Sequence, residues 1–475
     1  GGLVIVVTET LAVKRADHEM RELARRASLV LILVSTVFGA ISGVGIWVVA
    51  GLISPGAISA LIHAYVWGWA IEWVFFVLEI VAALVYYTTW DKISKGAHLL
   101  VGWLYVVGAY MSLVVINGII TYMLTPGRWL ETRAFWDGFF NPTYWPSLVL
   151  RTGICILMAV AFMLWSAYRA NPDRRPELVR YLGWWFFGGA LLSYAGYRWW
   201  EAVLPDTVKA LFLGETPSLL TLADTRSFTL WSLAVALAVC VLALLLAPRF
   251  ARSVTALALM ASAFGFFGGY ERLREGIRKP FLIHSHLFSN GLLVGQIDEI
   301  NRSGIAAHSG WVALGDPAPE ALGGRIFAAE CASCHTLDGY QSIREALPTV
   351  TDMELVVADE PPGSGAVHYL EQCSACHSDV AYEDMVGMLP SVEEIREDPE
   401  FIRELNLGMI TMTVMELKEM GAAVTDFDPH STFDMQTLDR PTMPPFVGTD
   451  DEAEALAIYL ASLDDGRSAT SGGAR

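Results

Sequence analysis

Charge is scarce in this chain: of 475 residues only 17% are Asp, Glu, Lys or Arg, against 54% hydrophobic. With a positive mean hydropathy, that balance excludes an ordinary soluble globular protein and suits a membrane protein with a soluble appendage. Basic residues are scarcer still towards the C-terminus. Residues 281–475 hold 9 Lys and Arg against 33 Asp and Glu, whereas residues 1–280 hold 23 against 17. So acidic a tail argues against nucleic acid as a partner. A basic segment ahead of the first apolar stretch is also lacking, so Gly1-Gly-Leu-Val-Ile-Val-Val7 does not read as a signal peptide. Too short to span a bilayer, it reads as the inner half of a helix whose outer half lies upstream, giving a bundle of at least eight helices.

Cysteine is rare, with six in the chain. Cys155 and Cys240 lie within apolar runs and read as inert core residues. The other four form two C-x-x-C-H motifs, Cys331-Ala-Ser-Cys334-His335 and Cys373-Ser-Ala-Cys376-His377. In such a motif the thiols form thioethers to haem vinyl groups and the histidine becomes the proximal iron ligand. Zinc or disulfides are the alternatives, and two pairs 42 residues apart could supply four thiolates. Neither accounts for a histidine directly after both second cysteines. Two covalently bound haem c groups do, and their attachment takes place outside the bacterial cytoplasm. The acidic surface around them then serves solubility, or steers a basic electron donor such as a small cytochrome.

Apolar segments long enough to span a bilayer run over 28–53, 58–90, 97–124, 143–168, 181–204, 227–247 and 253–270. The stretch 58–90 is long enough to tilt or to project beyond the membrane. Alternate loops are basic: Lys14, Arg15, Arg21, Arg25 and Arg26; Lys92 and Lys95; Arg169, Arg174, Arg175 and Arg180; Arg249 and Arg252. The intervening loops carry only Arg128, Arg133, Lys209 and Arg226. The basic set is therefore cytoplasmic, and the last span delivers the C-x-x-C-H tail to the periplasmic side of a bacterial inner membrane.

Within the apolar stretch 58–90 stand Glu72 and Glu79, seven residues apart and so on one helical face. Intramembrane carboxylates are costly and usually functional. They ligate iron, carry a proton to a reaction, or pair with a buried cation, for which Arg151 and Arg198 are the partners at hand. A second cluster, Tyr270-Glu271-Arg-Leu-Arg-Glu275-Gly-Ile-Arg278-Lys279-Pro280-Phe281, closes the last span and reads by itself as an interfacial belt of charge.

Together these segments resemble the haem-bearing subunit I of cytochrome bd oxidases over about residues 1–281. The resemblance is carried by FGAISGVG (38–45), AIEWVFFVLE (70–79), TTWDKISKGAHLLVGW (88–103), MSLVVINGIITYMLTPG (111–127), NPTYWPSLVL (141–150) and EGIRKPF (275–281). It implies one or two b-type or d-type haems in the bundle, with Glu275 ligating one active-site haem and Glu72 at the other. Glu79 would deliver protons and Arg278 neutralise haem propionate charge. His98 matches a conserved histidine near the cytoplasmic surface; by itself it reads as a helix-end residue. The family works as a heterodimer, which implies a second membrane subunit or a larger respiratory complex.

Departures are equally informative. The two glutamates are seven apart where the family has eight. Leu150 stands where the low-spin b haem takes a histidine, and its methionine partner has no counterpart around Arg226-Ser-Phe-Thr. The loop that forms the quinol site shrinks to 205–226. The low-spin haem and the quinol site are thus expected to be missing together. His63, His284 and His286 are replacement ligands or ordinary interfacial histidines.

The tail reads as a linker (282–320), a helical dihaem domain (321–465) and a flexible end (466–475). Leu322-Gly-Gly-Arg-Ile-Phe-Ala-Ala-Glu-Cys-Ala-Ser-Cys-His resembles the first helix and haem loop of class I cytochromes c. Pro441-Thr-Met443-Pro-Pro-Phe before Asp451–Leu460 resembles their methionine loop and last helix. Met443 is the distal ligand of choice and Met388 a weaker one. Met353, Met385, Met409, Met412, Met415, His368 and His430 are further possibilities, the methionines chiefly as core fillers. The expected fold is an all-α polytopic transmembrane bundle, with at least seven complete spans and a truncated first helix, bearing a periplasmic cytochrome c-like domain. Electrons would come from a soluble or complex-bound donor, pass through the c haems and reduce dioxygen or nitric oxide in the bundle. Alternatively the bundle anchors the c haems as a non-catalytic conduit.

Overall fold

The computed structural model describes residues 1–205, 208–209, 220–308, 318–339, 342–347, 350–370, 381–397, 399–425 and 443–463. The chain forms two compact units. One comprises Gly1–Gly51 and most of the chain from Ala60 to Arg278; the other comprises Lys279 onward together with Leu52–Ser59.

The first unit is helical. Helix α1 (Gly2–Arg15) stops at Ala16, whose left-handed backbone returns its N–H to the carbonyls of Ala12 and Val13. Asp17 then caps the amide of Met20 to start α2 (His18–Ile32). A π-turn over Leu33–Phe38 carries the helix into α3 (Gly39–Ile53). At Ser54-Pro55 the chain bends by 117° into α4 (Pro55–Ala64), because proline cannot continue the preceding ladder. Then follow α5 (Val66–Thr88), α6 (Lys95–Leu124), α7 (Tyr144–Ala167), α8 (Arg175–Val203), α9 (Leu220–Val239) and α10 (Ser253–Gly276). Consecutive helices pair as the hairpins α1/α2, α5/α6, α7/α8 and α9/α10.

Among the described residues five helices are long and apolar enough to cross a membrane, or six if the bent pair counts as one span. The protein is thus a multi-pass membrane protein. The expected single segment 58–90 is corrected: it breaks at Tyr65, which leaves the helical backbone and buries its ring. Tyr65 stacks on Tyr122 at 4.3 Å and donates its hydroxyl to the Phe135 carbonyl at 2.9 Å. The expected span 181–204 exists as the C-terminal part of α8 but is not among the five. Its Trp, Tyr, Gly and Arg content dilutes its hydropathy.

The basic loops meet at one end of this unit. Arg21 and Arg25 pair with Asp91 at 2.7 and 3.3 Å, Arg174 with Asp17, and Arg26 donates to the Arg169 carbonyl at 3.1 Å. Small residues let α7 and α8 touch backbone to backbone. A Cβ on Gly196 would lie 2.5 Å from the Leu150 nitrogen, and one on Gly153 would lie 2.6 Å from the Ser193 nitrogen. Elsewhere Asn141 takes hydrogen bonds from Thr125 and Thr143 and gives one to Thr121 at 2.8 Å, tying the start of α7 to the end of α6.

In the second unit the stretch 282–308, expected as a linker, carries structure of its own. Phe281–Ile283 and Leu287–Phe288 form an antiparallel hairpin, the one departure from all-α among the described residues. It is followed by α11 (Ile297–Ser303). Helix α12 (Pro319–Glu330) packs against α14 (Asp450–Ser462), which also packs on α13 (Pro399–Thr425).

Candidate functional sites

In the membrane unit, Glu72 and Glu79 lie on the face of α5 turned towards α6. Ser112 donates to a Glu72 oxygen at 2.9 Å. The backbone of Glu79 sits so close to Gly108 that an added Cβ there would meet its nitrogen at 3.1 Å. The cations considered as their partners are engaged elsewhere. Arg151 pairs with Glu271 at 2.7 Å, and Arg198 pairs with Glu201, which also takes Arg226 at 2.8 Å.

The helix-end cluster is a ladder on one face of α10 and just beyond it. Glu271 binds Arg274 at 2.9 Å, Arg274 reaches Glu275 at 3.6 Å, and Arg278 pairs with Glu275. Glu275 keeps 46% of its side chain exposed while Arg278 keeps 7%. Burial pulls the Arg278 guanidinium down from its usual range, while the Glu275 carboxylate opposes the shift. Among the described residues three arginines (151, 274 and 278) meet two carboxylates, and Arg274 Nη1 is buried without a hydrogen-bond acceptor. A buried cationic donor of that kind suits an anionic group such as a propionate.

At Leu150, where a ligand histidine was expected to be missing, the side chain is fully buried and the Gly196 backbone packs against it. The α7/α8 contact fills that position.

In the second unit the turn after α12 presents the first C-x-x-C-H. The amide of Cys334 bonds back to the Cys331 carbonyl at 3.0 Å and that of His335 at 2.9 Å, so the motif continues as a helical turn. Positions 331, 334 and 335 then share one face. Both cysteines are free thiols. Burial first, then the neighbouring Glu330 and Cys334, hold the Cys331 thiol well above its usual range. The donor set fits a covalently attached haem. Glu330 itself is buried; its Oε2 accepts from the Val447 amide at 3.1 Å and its Oε1 has no partner. Burial pushes that carboxyl well above the usual range, against the pull of the Val447 N–H.

Met443, half-buried, opens the segment Met443–Thr449 that leads into α14. Met353 and Met385 are buried among Leu389 and Met409, and among Val356, Tyr369 and Tyr382, as core residues. Met388 and Met412 are exposed. Cys373, Cys376, His377 and His430 lie outside the described residues, as does the side chain of His368.

A group the sequence left unnoticed is Glu9, wholly buried on α1. It accepts from the Tyr86 hydroxyl at 2.6 Å and lies 2.9 Å from His98 Nδ1. The expectation for His98, an ordinary helix-end residue, gives way: it is 1% exposed and bound at both ring nitrogens. Its signal was a lone acid, Thr8-Glu9-Thr10, in an otherwise apolar run.

A helical bundle with acids in its apolar core defines an intramembrane polar site of the kind that holds cofactors or moves protons. Residues 2–181 match the family model for cytochrome bd terminal oxidase subunit I. That similarity suggests a respiratory haem membrane protein, and the family implies b- or d-type haems. The match includes Glu72 and Glu79 and stops short of Glu275. No curated protein matches the chain.

Proposed function

We propose that this protein is a membrane-bound terminal reductase that takes electrons through periplasmic c haems and passes them to bd-type haems in the bundle. Dioxygen is the favoured substrate, with nitric oxide the other small ligand of suitable chemistry. The observation that carries the reading is the pairing of the Cys331–His335 turn with the closed α7/α8 contact at Leu150. One electron route is filled by side chains while another is offered by a motif with both thiols free.

Haem, when bound, supplies the redox couple and the iron position at which a diatomic ligand is reduced. The chain supplies the rest. Cys331 and Cys334, and by the same motif Cys373 and Cys376, would anchor the c haems. His335 and His377 would supply iron ligands to them, and Met443 a further ligand to one. Glu275 and Glu72 would provide carboxylates to the bundle haems, Arg278 with Arg274 would hold propionate charge, and Glu79 would hand on protons. The grouping of the basic loops at one end supports a cytoplasmic end there, and so a periplasmic tail. Exposed apolar side chains along α3 and α5 suit lipid and a second membrane subunit.

Reduced-minus-oxidised spectra of the purified protein, with and without carbon monoxide, test the reading. A ligand-binding high-spin haem is expected beside the c signals; low-spin signals alone would establish the conduit instead. Glu275→Gln should remove one b-type signal and spare the c bands, and retention of every haem would remove Glu275 from the ligand set.

A further inference from the structure

The α5/α6 hairpin carries polar residues at a constant spacing. On α5 they are Glu72, Glu79 and Tyr86; on α6 they are His98, Tyr105 and Ser112. Each set repeats every seven residues, about 10 Å along a helix, so each occupies one face. The helices run antiparallel, and the sets meet as three rungs. Ser112 bonds Glu72, the Glu79 backbone lies against Gly108 about one turn from Tyr105, and Tyr86 packs its ring on His98 at 4.5 Å. The last rung gains a third member, Glu9 from α1.

Hydrogen counting fixes the state of that rung. His98 Nε2 meets the Tyr86 carbonyl oxygen at 2.9 Å, one of the last-turn carbonyls left without an intrahelical partner. A carbonyl only accepts, so Nε2 carries a hydrogen. The Tyr86 hydroxyl donates to Glu9 Oε2 at 2.6 Å. Between Glu9 Oε1 and His98 Nδ1, 2.9 Å apart, a third hydrogen is required. Tyr86 supplies one hydrogen and a neutral imidazole one. The third is an extra proton shared by carboxylate and imidazole. Trp90 covers the imidazole at 4.4 Å, Arg21 lies over Trp90 at 5.1 Å, and Arg21 and Arg25 hold Asp91 outside it.

We infer that Glu9 and His98 form a buried proton-holding site at the basic end of the bundle, the first rung of a path that continues through Tyr105 to Glu79. It rests on the reading of the bundle as a reductase. The shared proton leaves the pair towards Glu79 and the pair becomes a carboxylate beside a neutral imidazole. A proton from the basic face then restores it. Both act through Glu79 as positioning residues.

The test uses the full chain in lipid nanodiscs, with redox-difference infrared spectra in light and heavy water and a dye reading of proton uptake on reduction. Wild type should show a deuterium-sensitive carboxyl band that disappears in Glu9→Gln and shifts in Tyr86→Phe. Proton uptake should slow on the order of 10²-fold in Glu9→Gln and in His98→Gln. A merely structural clasp would lower thermal stability and leave both readouts unmoved, which would overturn the assignment. Tyr86→Phe keeps the ring stack, so should Glu9→Gln fail to assemble, an unshifted band in Tyr86→Phe overturns it instead. The carbon monoxide spectrum reports separately on the reductase reading, and its failure leaves the proton readouts interpretable.

Discussion

Gly323 offers a sharp test of the helix crossing that carries the first C-x-x-C-H turn. A Cβ at 323 would lie 2.0 Å from the Ala455 carbonyl oxygen and 2.7 Å from Tyr459 Cβ, where ordinary contact begins at 3.4 Å. In Gly323→Ala the helices α12 and α14 must therefore part by about 1.4 Å, backbone against backbone. Overpacking of that kind costs about 3 kcal/mol, and the gain in helix propensity returns about 1 kcal/mol. A net loss of about 2 kcal/mol shifts the folded-to-unfolded ratio roughly thirtyfold. The neighbour behaves oppositely. A Cβ on Gly324 meets only the Tyr459 ring, at 3.1 Å, and a ring edge can give way, so Gly324→Ala should be neutral or slightly stabilising. Urea titration of the whole protein, read by limited proteolysis of the acidic domain, should lower the midpoint by about 1 M for the first variant. For the second it should stay or rise. Equal midpoints would refute the close crossing and with it the geometry of the turn.

Two further outcomes follow from the second unit. Glu452 accepts from the amides of Ile305, Ala306 and Thr449 at 2.9, 3.0 and 2.9 Å, so Glu452→Ala should cost about 2–3 kcal/mol and expose those amides to hydrogen exchange; unchanged protection would sink that assignment. Burial lowers His284 from 6.5 to about 4. Its neutral form is favoured in the fold, so the stabilisation is present above pH 6.5 and is lost as pH falls towards 4. With partial solvent access taken into account, the loss is about 1–3 kcal/mol, read as faster exchange at Phe281–Phe288 after correction for intrinsic rates; a flat profile would count against it.

The helical hairpins and the bd-type resemblance were legible because apolar runs, basic loops and motif spacing are local properties of the chain. The break at Tyr65 was not, since the apolar pattern runs through it and only the partners Tyr122 and Phe135 favour leaving the helix. Likewise Gly153, Gly189 and Gly196 announce a close contact without naming its partner, and the filling of Leu150 needs both helices. Glu72 and Glu79 were visible as acids in an apolar stretch. Glu9 escaped because its run ends in Lys14 and Arg15, which makes it look like the solvated end of a helix. Its meaning comes from Tyr86 and His98, 77 and 89 residues away.

The contact between α12 and α14 also carries a consequence for biogenesis. The helix that leads into the Cys331 turn is closed by one that ends at Ser462, and Glu452 reaches back to Ile305 and Ala306. Synthesis proceeds from the N-terminus, so the segment holding Cys331 and Cys334 leaves the ribosome before the helix that packs on α12 exists. For that interval the thiols are presented on an unfinished surface, which is when the proposed haem attachment would take place. Arrival of α14 then completes the packing around α12, so that assembly of this unit is a matter of order in time as much as of sequence.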